Sequence, residues 1–145
     1  MTCRRLTPKG HAREYVNKHM ALQRQAIINN FMYVGEEALK IARTQHKYKR
    51  RTGNLTSSVG YCILEDGKVI TMSDFSVVRN GGEGAKKGKD LLRKLISQHS
   101  KGLVFIMVAG MNYASYVEAM SLDVLESAEL FAKSVLPNIC KELKL

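Results

Sequence analysis

The segment SSVGYCILEDGKVITMS, residues 57–73, sets Asp66-Gly67 between two runs rich in β-formers. A type I′ turn needs positive φ at both central positions, and Asp-Gly supplies it, so the spacing predicts a β-hairpin reversing there. Alternation sends Val59, Tyr61 and Ile63 to one face and Gly60, Cys62 and Leu64 to the other, so both faces are expected to be at least partly covered.

A second run, Leu103 to Ala109 (LVFIMVA), is continuously apolar, too short for an ordinary helix and rich in β-formers. It reads as a central strand ended by Gly110. Helical spacing governs the flanks. Ile27, Phe31, Val34, Ala38, Ile41 and Ala42 step by three or four, and Ala12, Tyr15, His19 and Leu22 carry the stripe upstream, so a long helix is expected from about His11 to His46. Thr7 and Pro8 suit its N-cap and first position, and Gly35 is the expected bend. Lys47, Lys49, Arg50 and Arg51 fall at its carbonyl end, where cations complement the macrodipole, before Gly53 and Asn54 turn the chain.

Residues 76–102 combine Gly and Lys with Leu91, Leu92, Leu95 and Ile96, which predicts a flexible insertion with a short helix. From Asp123 to Leu143 the stripe Val124, Ala128, Phe131, Val135 and Ile139 predicts a last helix, capped by Ser121 or Asp123 and kinked or split at Pro137. The order is α+β: a mixed or antiparallel sheet with helices packed on it, in one domain over residues 1–145 with residues 1–10 as an N-terminal arm. A chain of 145 residues supports one core, and 45% hydrophobic residues with mean hydropathy −0.20 suit a folded protein. No apolar stretch follows the basic residues at the N-terminus, and no run reaches the ~20 residues of a membrane span, so neither a secretion signal nor a membrane is expected. Cys3, Cys62 and Cys140, odd in number and far apart, suit free thiols in a reducing compartment.

Net charge is +10 and uneven: residues 1–117 hold 20 of the 23 Lys and Arg but 8 of the 13 Asp and Glu. Residues 118–145 carry 3 basic against 5 acidic residues. Such a field attracts polyanions without reading sequence, although a solvated basic surface would have the same composition. Two basic groups stand out, Lys47 to Arg51 and Arg79, Lys86, Lys87, Lys89, Arg93 and Lys94, with Tyr48 as the only neighbouring aromatic. Non-specific duplex contact is therefore favoured over single-strand recognition.

The stretch GGEGAKKGKD fails the phosphate-loop spacing, because Glu83 occupies the first glycine position and Asp90 the Ser/Thr position. It also lacks the third glycine of a dinucleotide loop, where Lys87 stands. His11, His19, His46 and His99 are scattered, and no nucleophile–base spacing is apparent, so neither a metal, a cofactor nor an enzymatic centre is expected.

Two stretches match one pattern. ALKIA followed by RRTGNLTSSV, and NYASYVEAM after an apolar strand, resemble the helix-then-Thr-Gly-x-Leu-x-x-Ser and Tyr-Ala-x-Tyr-Val-Glu motifs of the phage tail-completion and head-tail joining protein family. The resemblance spans roughly residues 27 to 143. It carries Thr52, Gly53, Leu55 and Ser58 onto the first motif, and Tyr113, Ala114, Tyr116, Val117 and Glu118 onto the second, all in structural roles. It implies a non-enzymatic virion protein of the neck, made in the host cytoplasm. Such a protein forms a homo-oligomeric ring between head connector and tail around the DNA channel, with other neck, connector and tail proteins as partners. The chain departs from the pattern in having Lys49-Arg50-Arg51 for the common Pro-Val-Asp and Met120-Ser121 for Gly-Thr, and in lacking the Pro- and Phe-containing segment near the C-terminus. The basic residues suggest an alternative, a small nucleic-acid-binding accessory protein.

Overall fold

A computed structural model describes residues 8–49 and 52–142. Cys3, Thr7, Arg50 and Arg51 lie outside the described residues. The elements run α1 (His11–Thr44), α2 (Asn54–Ser57), β1 (Val59–Glu65), β2 (Lys68–Met72), α3 (Gly82–Ile96), β3 (Leu103–Ala109), α4 (Ala114–Ala119) and α5 (Glu126–Glu142). The fold is α+β, and its three strands form an antiparallel sheet in the order β2-β1-β3.

The hairpin forms as the Asp-Gly step requires, with φ of 50° at Asp66 and 80° at Gly67. β3 has the expected limits but lies at an edge; β1 is the central strand. The reason is that a continuous apolar run reports cover on both faces and says nothing about how many strands flank it. On one face Cys62 and Leu64 pack with Phe75, Ala85, Leu92, Ile106 and Val108, under α3. On the other, Val59 packs with Ala38, Ala42 and Ala128, so α1 and α5 cover that face. Burial pushes the Cys62 thiol up to about 11, and Cys62 serves as a small apolar side chain in the core.

Four expectations need correction. First, α1 begins at His11 behind Gly10, whose φ is 91°, while Pro8 precedes the helix and its carbonyl accepts from the His11 N–H at 3.2 Å. Second, α1 does not break at Gly35. That glycine instead makes room for the buried ring of Tyr61, since a Cβ there would lie 2.3 Å from Tyr61 Cε2. Tyr61 Oη donates to Glu36 Oε1 at 2.6 Å, and burial followed by this bond pushes the phenol pKa upward.

Third, the short helix expected around Leu91–Ile96 within the Gly/Lys-rich stretch 76–102 starts earlier, at Gly82, and takes in GEGAKKGK as the 15-residue helix α3. Its glycines serve close packing rather than flexibility: a Cβ at Gly84 would meet Asn54 O at 1.9 Å, and one at Gly88 would meet Ser58 O at 2.4 Å. Fourth, α5 starts at Glu126 and passes through Pro137 as one element, and of the two expected caps it is Asp123 that bonds its first turn, with help from α4. Asp123 Oδ1 accepts from the Ser127 N–H at 3.0 Å, while Glu118, from α4, accepts from the N–H groups of Val124 and Leu125, the latter at 3.1 Å.

Candidate functional site

Beyond α1 the chain folds back on itself. Lys47 N–H donates to Leu122 O at 3.0 Å, His46 stacks on Tyr48 at 4.1 Å between centroids, and Tyr48 Oη is 3.0 Å from Thr56 Oγ1. The Asn54 N–H donates to Thr52 Oγ1 at 3.3 Å. Gly53 is required twice: its φ is 80°, and a Cβ would lie 1.9 Å from Val78 O. Asn54 Oδ1 accepts from the Gly84 N–H at 3.2 Å, which fastens the first turn of α3. Ser58 ends α2: its Oγ donates to Leu55 O at 2.7 Å, and its carbonyl accepts from the Gly110 N–H at 3.2 Å, where β3 ends.

Leu55 closes the arrangement. It packs with Tyr48, Met111, Ala114 and Val124, so the first motif touches the second through its own apolar residue. Tyr113 caps α4, Ala114 is buried, and Glu118 reaches across to begin α5. The residues expected in structural roles thus form one joint at one end of the sheet.

The outer side of this joint carries the candidate contact surface. A shallow cavity of about 280 Å³ is lined by Tyr48, Lys49, Thr52, Asn54, Tyr113 and Val117, among others. An adjoining one of about 570 Å³ shares Tyr48, Lys49 and Val117 and adds Lys47 and Tyr116. Tyr116 is 69% exposed and Tyr113 42%. Tyr48 is therefore not the only aromatic beside the first basic group; the fold brings two exposed rings to Lys47 and Lys49. No local spacing could show this, because the two stretches lie far apart in the chain.

The second basic group stands elsewhere. Lys86 and Lys89 are exposed on α3, Lys87 pairs with Glu83 at 3.1 Å, and Arg79 is exposed with a φ of 53°. None of these four lines either cavity. Chemically, the joint offers ammonium groups that attract anions and phenol rings with exposed faces. Among the described residues no three His, Cys, Asp or Glu side chains group to hold a metal, and no helix is long and apolar enough to cross a membrane. Nothing among family models, curated proteins or solved structures matches this chain.

Proposed function

We propose that this chain is a virion structural protein of tailed bacteriophages, a non-enzymatic neck subunit of the tail-completion and head-tail joining type. It needs no cofactor, and copies of it form a ring that joins the head connector to the tail around the DNA channel. One observation carries the reading: the two motifs that resemble the family, remote in sequence, build a single joint through Leu55, Ala114 and Val124. The surface of that joint bears Lys47 and Lys49, which gives a channel lining non-specific attraction for packaged DNA. The test is mass spectrometry of purified particles together with a cryo-microscopy map of their neck. Copies of the chain in the neck are expected, and particles without it would overturn the reading.

One feature favours the alternative, a small nucleic-acid-binding accessory protein. Exposed Tyr113 and Tyr116 beside Lys47 and Lys49 form a pairing that can stack bases and hold phosphates of a single strand. On that reading the isolated protein binds oligonucleotides with a steep salt dependence, and Tyr116→Ala weakens binding by roughly 1–3 kcal/mol per lost stack. No binding at low salt would dismiss it.

A further inference from the structure

The first half of α1 has an apolar face that none of the described residues covers. Every residue from Lys9 to Gln25 is exposed, and Tyr15, Val16, Met20 and Leu22 are 52 to 70% exposed. These side chains are not scattered. They share one half of the helix: Val16 and Met20 lie at one edge, on the stripe that continues through Ile27, Phe31 and Val34 and packs on the body, Tyr15 and Leu22 lie at the other edge, and Arg13, Glu14 and Lys18 lie on the opposite half. The helix is unbroken, and the Arg24 guanidinium holds the Glu65 carboxylate at the hairpin end of the sheet. The 15 residues from His11 to Gln25 therefore project about 22 Å from there as a rod that cannot fold back.

The same chain has an unfilled apolar groove between α5 and β3. It measures about 510 Å³ and is lined by Phe105, Met107, Leu125, Ala128, Ala132 and Leu136, with Glu129 and Lys133 at the side. No residue of α1 lines it. Charge distinguishes the two surfaces. The projecting half, residues 8–23, carries Lys9, Arg13 and Lys18 against Glu14 alone, whereas residues 118–145 are net acidic and α5 opens with Glu126 and with Glu129, which pairs with Lys133.

We infer that the projecting half of α1 from one copy seats in the α5–β3 groove of a second copy, apolar face inward and basic flank along the acidic end of α5. A rigid apolar helix with a basic flank and an apolar groove beside the net acidic last stretch of the chain, borne by one chain that cannot join them itself, are satisfied together between copies. Each copy gives one helix and receives one, either reciprocally in an isologous pair or heterologously, head to tail, around a ring. This rests on the oligomeric part of the neck reading and supplies its interface. The test uses dilute purified protein, so its failure leaves the particle experiment standing.

A photo-crosslinking residue replaces Leu22 in the full chain, copies labelled with light and heavy nitrogen are mixed, and crosslinked peptides are mapped. Mixed-isotope products joining position 22 to the peptides of residues 103–109 or 125–137 are expected. Sedimentation should show self-association that Leu22→Glu and, separately, Leu136→Glu weaken by about tenfold or more, and that added salt weakens too. Leu22 is exposed, so its replacement leaves the body folded, and an unchanged circular-dichroism spectrum checks this. A chain that stays monomeric at every concentration, crosslinks that are only intramolecular, or mixed-isotope products that avoid the groove would each overturn the inference.

Discussion

The two halves of α1 share one helix and one apolar stripe but differ in partners. From Ile28 to Thr44 the stripe meets α5 and the sheet: Ala38 and Ala42 pack with Val59 and Ala128, and Arg43 reaches Ser76 Oγ at 2.9 Å. From His11 to Gln25 every residue is exposed, and Arg24 reaches back to the body only at the Glu65 carboxylate. A free helix of that length is marginal in water, yet this one needs no nucleus of its own, because the held half extends it one residue at a time. The lesson is that helical periodicity and cover are separate facts. Periodicity tells which side chains share a face; only the rest of the fold decides whether that face is used at home.

The sharpest way to break the body, and not the projection, is at the α2–α3 contact. Gly82→Ala and Gly84→Ala change one helix within its first turn. In an open helix either would gain up to about 1 kcal/mol. A Cβ at Gly82 meets nothing within 4 Å, so no loss is expected there; at Gly84 it would strike Asn54 O at 1.9 Å, and a loss of about 3 kcal/mol is expected. Urea unfolding measures both, and equal effects at the two sites would show that the α2–α3 contact is looser than described.

Next in size is Glu118→Ala. The carboxylate accepts from two backbone N–H groups where α5 begins, so its removal should cost about 1–2 kcal/mol and expose the α5 end to faster hydrogen exchange. The half of α1 from Ile28 to Thr44 should lose some protection with it, because α5 is its partner; the projecting half should not respond. Stability equal to the parent would mean that Glu118 merely lies near those amides.

A smaller, pH-dependent effect separates the core from both ends. The buried Cys62 thiol has its pKa raised to about 11, against about 8.5 in an unfolded chain. A raised folded value means that the native state favours the protonated thiol, so this contribution is complete below about pH 8.5 and is lost as pH climbs toward 11. Tyr61, raised in the same direction, adds its own loss above its ordinary value of about 10. Cys62→Ala should therefore show a shallower fall of the urea midpoint between about pH 9 and 11 than the parent, at the cost of a small cavity at neutral pH. Identical alkaline slopes would remove Cys62 from the account.

Local signals carried α1, the hairpin and the limits of β3, since each depends on neighbours within a few positions. They failed where meaning came from across the fold. Glycine in GGEGAKKG reads locally as freedom, but Gly84 and Gly88 are there because backbone lies against them. The place of β3 at the sheet edge could not be read from its own residues. Thr52 to Ser58 and Tyr113 to Glu118 were visible as motifs through their residue types, but their meeting at Leu55 and Ala114, and the approach of Tyr116 to Lys49, required the folded chain.

The smallest expected effect is the one that tests the opening comparison most directly. Leu22→Glu, measured at a dilution where copies are apart, should change unfolding free energy by less than about 0.5 kcal/mol, because Leu22 is 64% exposed and touches no core cluster. Hydrogen exchange on the same sample should show protection falling from Ile28 toward His11, with the step near Arg24 and its bond to Glu65. A loss of several kcal/mol, or protection uniform along α1, would mean that the first half is covered within one copy. Apolar side chains that contribute nothing to the stability of the single chain have their use outside it, and the expected small effect leaves contact with another molecule as the reason for Tyr15, Val16, Met20 and Leu22 on one half of the helix.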